Sequence, residues 1–463
     1  MPDPGSRVAV VGGGITGLAA AYYLGRTGTD VTLVEAGDRV GGKIKTLELD
    51  GVPVEAGPDT FLARVPFAVD LCRELGLGDE LVAPATGRAW LWIGDRLRPL
   101  PEGHVLGVPT AVGPLVRSGV LSPAGLARAA LDLLLPRRAS GPDPSVAEVV
   151  GRRMGREVVE RLVDPLVGGI NAGRADTLSL EATARPLAEA AARSRSLVLG
   201  LRQAPPGPGG PVFLGLAGGL QRLSDRLAQE VGDVRLGTAV RVITPSAGGR
   251  GYRLACAPGP DIEAEAVVLT VPSFAAAGMV SALSPVAAEH VAAIRHASVV
   301  TATLAYRPSA VPGPLEGSGM LVPRVQGRLL TACTWSTTKW PALAAGGMVL
   351  LRASTGRDGD DRAMELDDDE AVRRLHGELV EALHLREAPV ASLVSRWPRG
   401  FPQYEVGHRA RVDAIEAALA ADAPNVIVAG AAYRGLGVAA CVEQGREAAR
   451  RVTAALPVAR RFS

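Results

Sequence analysis

The sequence predicts an α/β chain built on a doubly wound, dinucleotide-binding domain, joined by an α+β domain and a helical domain. Three observations predict it. The first forty-odd residues run strand, glycine-rich turn, helix, strand and acid in register, and a second strand-to-helix turn of small residues lies near the C-terminus. Between them a helical block precedes a series of short apolar runs divided by Gly/Pro turns.

Arg7 to Val11 reads as a buried parallel strand. Gly12, Gly13, Gly14, Ile15, Thr16 and Gly17 then supply G-x-G-x-x-G, whose glycines permit a tight turn, backbone approach to a pyrophosphate and close helix-to-strand packing. A helix over Leu18 to Gly25 points free N–H groups at the phosphates. A second strand, Asp30 to Val34, ends at Glu35 and Ala36, where a carboxylate can hydrogen-bond ribose hydroxyls. Next come Arg39, Val40, Gly41, Gly42 and Lys43, in which two cations can meet phosphate while the glycines admit an extended cofactor. The unit is Rossmann-like.

At 463 residues the chain is long enough for two or three domains. A hydrophobic fraction of 47%, with charged residues at 21% spread along the chain, suits a folded enzyme, and mean hydropathy is +0.18. A net charge of +2 with no long basic tract argues against nucleic acid, and no zinc-ligand cluster is visible. Cys72, Cys256, Cys333 and Cys441 are scattered without a C-x-x-C, which points to a reducing cytosol. No charged-then-apolar segment precedes the first strand, so export is not expected. The uncharged stretch Ala266 to Ala288 is interrupted by Pro272 and Pro285 and reads as buried strand plus turn.

In chain order, Thr46 to Val54 reads as strand and Gly57-Pro58 as the turn ending it. Ala111 to Arg202 is helical, broken at three Gly-Pro or Ser-Pro pairs; Ser122 is the N-cap of a helix over Ala124 to Leu135 that is apolar around most of its surface. Gln203 to Pro211 is a boundary loop, followed by a helix over Arg222 to Val231 and a strand over Val234 to Val240. The runs Val299 to Tyr306, Met320 to Pro323, Leu329 to Trp335 and Met348 to Ala353 predict an antiparallel substrate domain. The acidic stretch Asp358 to Glu370 reads as a solvated loop and helix start. Asn425 to Gly430 is a strand, and Gly435 to Val442 leads into a helix whose N-terminus can stabilise negative charge. The expected domains are residues 1–70, 212–285 and 398–463 for the dinucleotide, 71–110 and 286–397 for substrate, and 111–211 helical.

The Arg39–Lys43 segment resembles the FAD signature of the amine oxidase, carotenoid desaturase and protoporphyrinogen oxidase superfamily. Gly57, Pro58, Asp59, Thr60 and Phe61 resemble the G-P-x-[ST]-F segment of protoporphyrinogen and coproporphyrinogen oxidases, which places backbone against flavin. Ala85–Arg88, Gly107–Thr110 and Cys333–Pro341 resemble the Gram-positive coproporphyrinogen oxidases. Val163 to Gly173 resembles P-L-x-x-G-I-Y-A-G, with Asn171 in place of the tyrosine. Trp397 and Pro402-Gln403-Tyr404 match the family's R-W and P-Q-Y pieces, and Gly435 to Val438 match G-x-G-[VIL].

The resemblance implies non-covalent FAD, held by the residues above together with Val240, Trp397, Gly430, Leu436, Gly437 and Val438. It implies removal of six hydrogens from coproporphyrinogen III with oxygen as acceptor, the flavin carrying the chemistry and no side chain acting as catalyst. A single dinucleotide fingerprint fits electron entry from substrate rather than NAD(P)H. Arg64, Arg88 and Lys339 are the candidates for propionate recognition. Peripheral membrane contact and product transfer to the next haem-pathway enzyme are compatible with this reading. The alternatives are a protoporphyrinogen IX oxidase, another FAD oxidase of the superfamily acting on an amine or a carotenoid, and a lipid carrier on the same fold with a degraded flavin site.

Overall fold

The computed structural model describes residues 7–136, 141–205 and 209–456; part of the expected 203–211 boundary loop lies outside them. A five-stranded parallel sheet organises the first layer, in the order Asp233–Arg235, Asp30–Val34, Arg7–Val11, Ala266–Leu269, Val426–Val428. Four of five residues in each of the two N-terminal strands are buried, as apolar runs covered on both faces require.

One face packs on the helices Ile15–Gly25, Gln221–Glu230 and Val438–Ala455. The first and last of these approach closely because their facing residues are small: a Cβ on Gly445 would sit 2.5 Å from the Thr16 carbonyl oxygen. The helix Pro66–Glu74 joins this core through Ala68, Leu71 and Cys72, so the packing runs past the expected boundary at residue 70. The other face is covered by the antiparallel sheet Ala239–Pro245, Tyr252–Ala257, Ile262–Ala264 and by helices Ser273–Val280, Pro285–Ala292 and His408–Asp422.

Several elements differ from their sequence reading. The first helix begins at Ile15, three residues early, because Gly14 is already the extended N-cap. Thr46 to Val54 is a hairpin, turned by Asp50 and Gly51 at positive φ. Val234 to Val240 is two strands in two sheets, with Gly237 at φ +61 between them. The uncharged stretch is a strand and two helices rather than strand and turn, its prolines at or before helix starts.

The second layer is a seven-stranded sheet, in the order Ala391–Pro402, His296–Tyr306, Val349–Thr355, Leu330–Trp335, Gly319–Leu321, Trp90–Ile93, Arg96–Pro99. The helix Asp368–Leu383, capped by Asp367 on the Glu370 amide, buries Leu375 and Leu379 against it. Asp358, expected in a solvated loop, is instead buried and paired to Arg295 at 2.6 Å. In the helical block, Ser122 caps the helix Pro123–Ala130. Val159–Gly168 is wound as a π-helix, in which Pro165 stands without breaking the element. No helix among the described residues is long and apolar enough to cross a membrane, and no group of three or more metal-ligating side chains is found among them.

Candidate flavin site

The glycine turn leaves the central strand at its C-terminal end. Gly12 adopts φ +108, and the Thr270 hydroxyl lies 2.9 Å from the carbonyl oxygens of both Val11 and Gly12, fixing the turn from the neighbouring strand. A Cβ on Gly17 would run into the Gly12 carbonyl, so this position needs glycine for helix-to-strand packing. Gly14 caps the first helix without a side-chain hydrogen bond, and Ile15 and Thr16 form its first turn. A Cβ on Gly14 would meet nothing within 4 Å, so the space before the free N–H groups is open.

Glu35 ends the second strand with its carboxylate fixed: Gly13 N–H donates to one oxygen at 2.6 Å and Gly37 N–H to the other at 2.7 Å. Ala36 lies exposed beside it. Val240 is buried in the small antiparallel sheet opposite Cys256. Arg39 donates to the carbonyls of Val40, Gly42 and Ile44, so its guanidinium closes the second glycine turn. Lys43 is half-buried with no hydrogen-bond acceptor among the described residues, and burial lowers its pKa.

The segment from Ala56 to Thr60 is held from the second layer. The Ala56 carbonyl accepts from Trp397 Nε1 at 3.0 Å and from the Thr301 hydroxyl at 3.1 Å, and Arg352 donates to the Gly57 carbonyl. A Cβ on Gly57 would run into the Lys43 carbonyl, and Pro58 follows at the turn. Asp59 accepts from Lys339 Nζ at 2.6 Å and Trp340 Nε1 at 3.3 Å, while the Thr60 hydroxyl donates to its other oxygen. Burial pushes the Asp59 carboxyl up, but Lys339 and Arg352 outweigh it and hold it below the usual range.

At the C-terminal end, Gly430 adopts φ +118 after the last strand. The Tyr404 hydroxyl donates to the Ala431 carbonyl and accepts from Gly435 N–H, both at 2.7 Å, and Gln444 bridges Gly430 N–H and the Gly435 carbonyl. Leu436 and Val438 flank Gly437, which caps the last helix, again with no side-chain bond and with open space around its Cα.

Two uncapped helix N-termini, a fixed carboxylate and an unpaired lysine fit an elongated cofactor with anionic phosphates and a polar ring. Of the three expected substrate cations, Arg64 and Arg88 are exposed with no side-chain partner among the described residues. Lys339 is instead neutralised by Asp59. Asn171 is buried, donating to the Val167 carbonyl at 2.8 Å, while its own carbonyl accepts from Gln403. The positioning residues Thr270, Arg352, Thr301 and Gln444 escape sequence reading. Only Thr270, directly after an apolar strand run, carries a local signal.

The chain matches the flavin containing amine oxidoreductase family over residues 15–453. It is 37% identical to the coproporphyrinogen III oxidase of Bacillus subtilis (strain 168), covering 97% of this chain and 98% of that one. It is 38% identical to the coproporphyrinogen III oxidase of Mycobacterium bovis, covering 96% and 97%. A solved structure from Exiguobacterium sp. 255-15, named as a candidate protoporphyrinogen oxidase, superposes with a TM-score of 0.87 at 32% identity, covering 97% of this chain and 98% of that one. The glycine cradle and these full-length likenesses agree: the chain belongs to the flavin-containing amine oxidoreductase family, in the branch of its coproporphyrinogen III oxidase relatives.

Proposed function

We propose that the protein oxidises coproporphyrinogen III to coproporphyrin III in haem biosynthesis, using non-covalent FAD and oxygen. The observation that carries this reading is the full-length likeness to coproporphyrinogen III oxidases, combined with a cofactor cradle complete at both ends of the chain. FAD held in this cradle would supply the two-electron acceptor for oxidation at the meso methylene carbons, with oxygen as final acceptor; removal of six hydrogens takes three such cycles and yields three peroxides.

Gly12 to Gly17, with the first helix, would hold the pyrophosphate, and Glu35 the adenosine ribose. Val240 would lie against the adenine. Gly57 to Thr60, Trp397, Gly430 and Leu436 to Val438 would frame the ring, the last helix stabilising charge at its pyrimidine end. Lys43 would supply a positive charge within the cradle, and Arg39 would keep the 39–44 turn in shape. Arg64 and Arg88, exposed and unpaired, would meet propionates; Lys339 would act through Asp59 to position the Gly57–Thr60 segment. Pyrrole N–H protons can leave to solvent, so no side-chain base is invoked.

Peripheral membrane contact is supported by exposed Val112, Val116 and Leu134 in the helical block. Cytoplasmic placement, and delivery of product to the next haem-pathway enzyme, complete the reading.

The test compares coproporphyrinogen III with protoporphyrinogen IX on the purified holoenzyme. The expected result is a yellow protein that releases FAD on heating, is reduced anaerobically by substrate, regains colour with oxygen and prefers the four-carboxylate substrate. Preference for protoporphyrinogen, or rapid bleaching by NADPH alone, overturns it.

A further inference from the structure

Outside the flavin cradle, one cleft holds a buried guanidinium without a hydrogen-bond acceptor among the described residues. It has a volume of about 530 Å³ and is lined by Arg324, Arg357, Asp360, Asp361, Arg362 and Glu365, where the 357–365 loop meets the 324–327 turn. Arg357 is only 9% exposed, yet its guanidinium has no hydrogen-bond acceptor among the described residues, and its Nε is sealed from solvent without a partner. Native interiors rarely leave such a group unpaired, because its desolvation is not offset. Arginine cannot escape by losing its proton.

The neighbouring carboxylates bring negative charge near Arg357 but no hydrogen bond to it. Asp360 is taken by Arg362 at 2.7 Å. Asp358 pairs with Arg295 on the far side. Arg324 donates to the carbonyls of Asp358 and Gly173, with the Asp164 carboxylate 3.8 Å from its Nε. Burial, with the Arg324 and Arg362 guanidiniums, pushes the Arg357 pKa down against the opposing pull of the Asp360 and Asp164 carboxylates. The exposed carboxylates Asp361 and Glu365 stand on the same lining and would repel a dianion. The planar fork of a guanidinium with no acceptor of its own matches the two oxygens of a carboxylate.

We propose that this cleft is a binding site for a small monocarboxylate, which would dock its two oxygens on the Arg357 guanidinium. The site is separate from the cofactor cradle and does not depend on the substrate assigned above. It abuts the 171–173 turn, since Asp358 N–H donates to the Ala172 carbonyl at 2.7 Å and Arg324 to that of Gly173 at 3.0 Å.

The experiment titrates the holoenzyme with propionate, inorganic phosphate and propionamide, read by calorimetry, in wild type, Arg357→Gln and Arg357→Lys. The expected result is saturable propionate binding in the ~1 mM range, weakened roughly tenfold or more in Arg357→Gln. Arg357→Lys, which keeps the charge and loses the fork, should fall between the two and covers the case in which the glutamine variant does not fold. Phosphate should bind more weakly than propionate, and propionamide not at all. Equal propionate affinity in wild type and the lysine variant, tighter binding of phosphate, or a response to propionamide equal to that of propionate would overturn the proposal.

Discussion

The ammonium of Lys339 lies 2.6 Å from the Asp59 carboxylate, joining the second layer to the segment that follows Gly57. Both side chains are largely buried, so removing the lysine strands a carboxylate. Lys339→Ala is expected to cost about 3 kcal/mol and to loosen the flavin. Arg64→Ala and Arg88→Ala should leave Tm and the flavin spectrum unchanged while lowering kcat/KM for coproporphyrinogen roughly tenfold to a hundredfold. Melting curves and kinetics on the three variants check this. A Lys339→Ala enzyme with normal Tm and flavin content but poor kcat/KM would return that lysine to the substrate.

Glu35→Ala removes the clamp on the Gly13 and Gly37 amides and, on the function proposed, the acceptor for ribose. Flavin affinity should fall by roughly 1–3 kcal/mol, measured by fluorescence of flavin released on dilution. Unchanged affinity would detach Glu35 from the cofactor.

Thr270→Val keeps the shape of a side chain that no motif singles out, but deletes the hydroxyl lying on the Val11 and Gly12 carbonyls. A loss of about 1 kcal/mol in stability, with faster flavin release, is expected. Identical release kinetics would show that the turn holds itself.

Acid should destabilise the fold through His408. Burial lowers its pKa from 6.5 to about 4, while Nε2 lies 2.7 Å from the Tyr433 carbonyl and the ring stacks on Tyr404. The folded-state value is depressed, so the stabilisation is present above the unfolded value and is lost as pH falls from there through the folded one. His296, also lowered to about 4, adds to the same window. Relative to wild type, His408→Gln should gain roughly 1–2 kcal/mol on going from pH 7 to pH 5. Parallel denaturation midpoints at the two pH values would remove His408 as the cause.

The glycine turn and Glu35 were legible because their chemistry is local: strand, turn, helix and acid follow one another along the chain. Gly57 and Gly437 could be read in the same way, from turn residues at the ends of apolar runs. What holds those turns could not. Thr270, Arg352 and Tyr404 act on residues far away in sequence, and their roles depend on which strands become neighbours. Asp358 misled for the same reason, since an acidic run looks solvated until Arg295 is found beside it. Gly237 split a predicted strand because a positive φ redirects the chain between two sheets.

The strand order of the parallel sheet has a consequence for biogenesis. Arg7–Val11 is made first but lies in the middle, and its neighbour Ala266–Leu269 and the flanking Val426–Val428 are made much later. Throughout most of translation the glycine turn is therefore attached to a strand with one edge unsatisfied and apolar on both faces, a template for wrong pairing. The second uncapped helix N-terminus does not exist until the final helix leaves the ribosome. Chains stalled before residue 426 lack that second helix N-terminus and are expected to be colourless clients of chaperones.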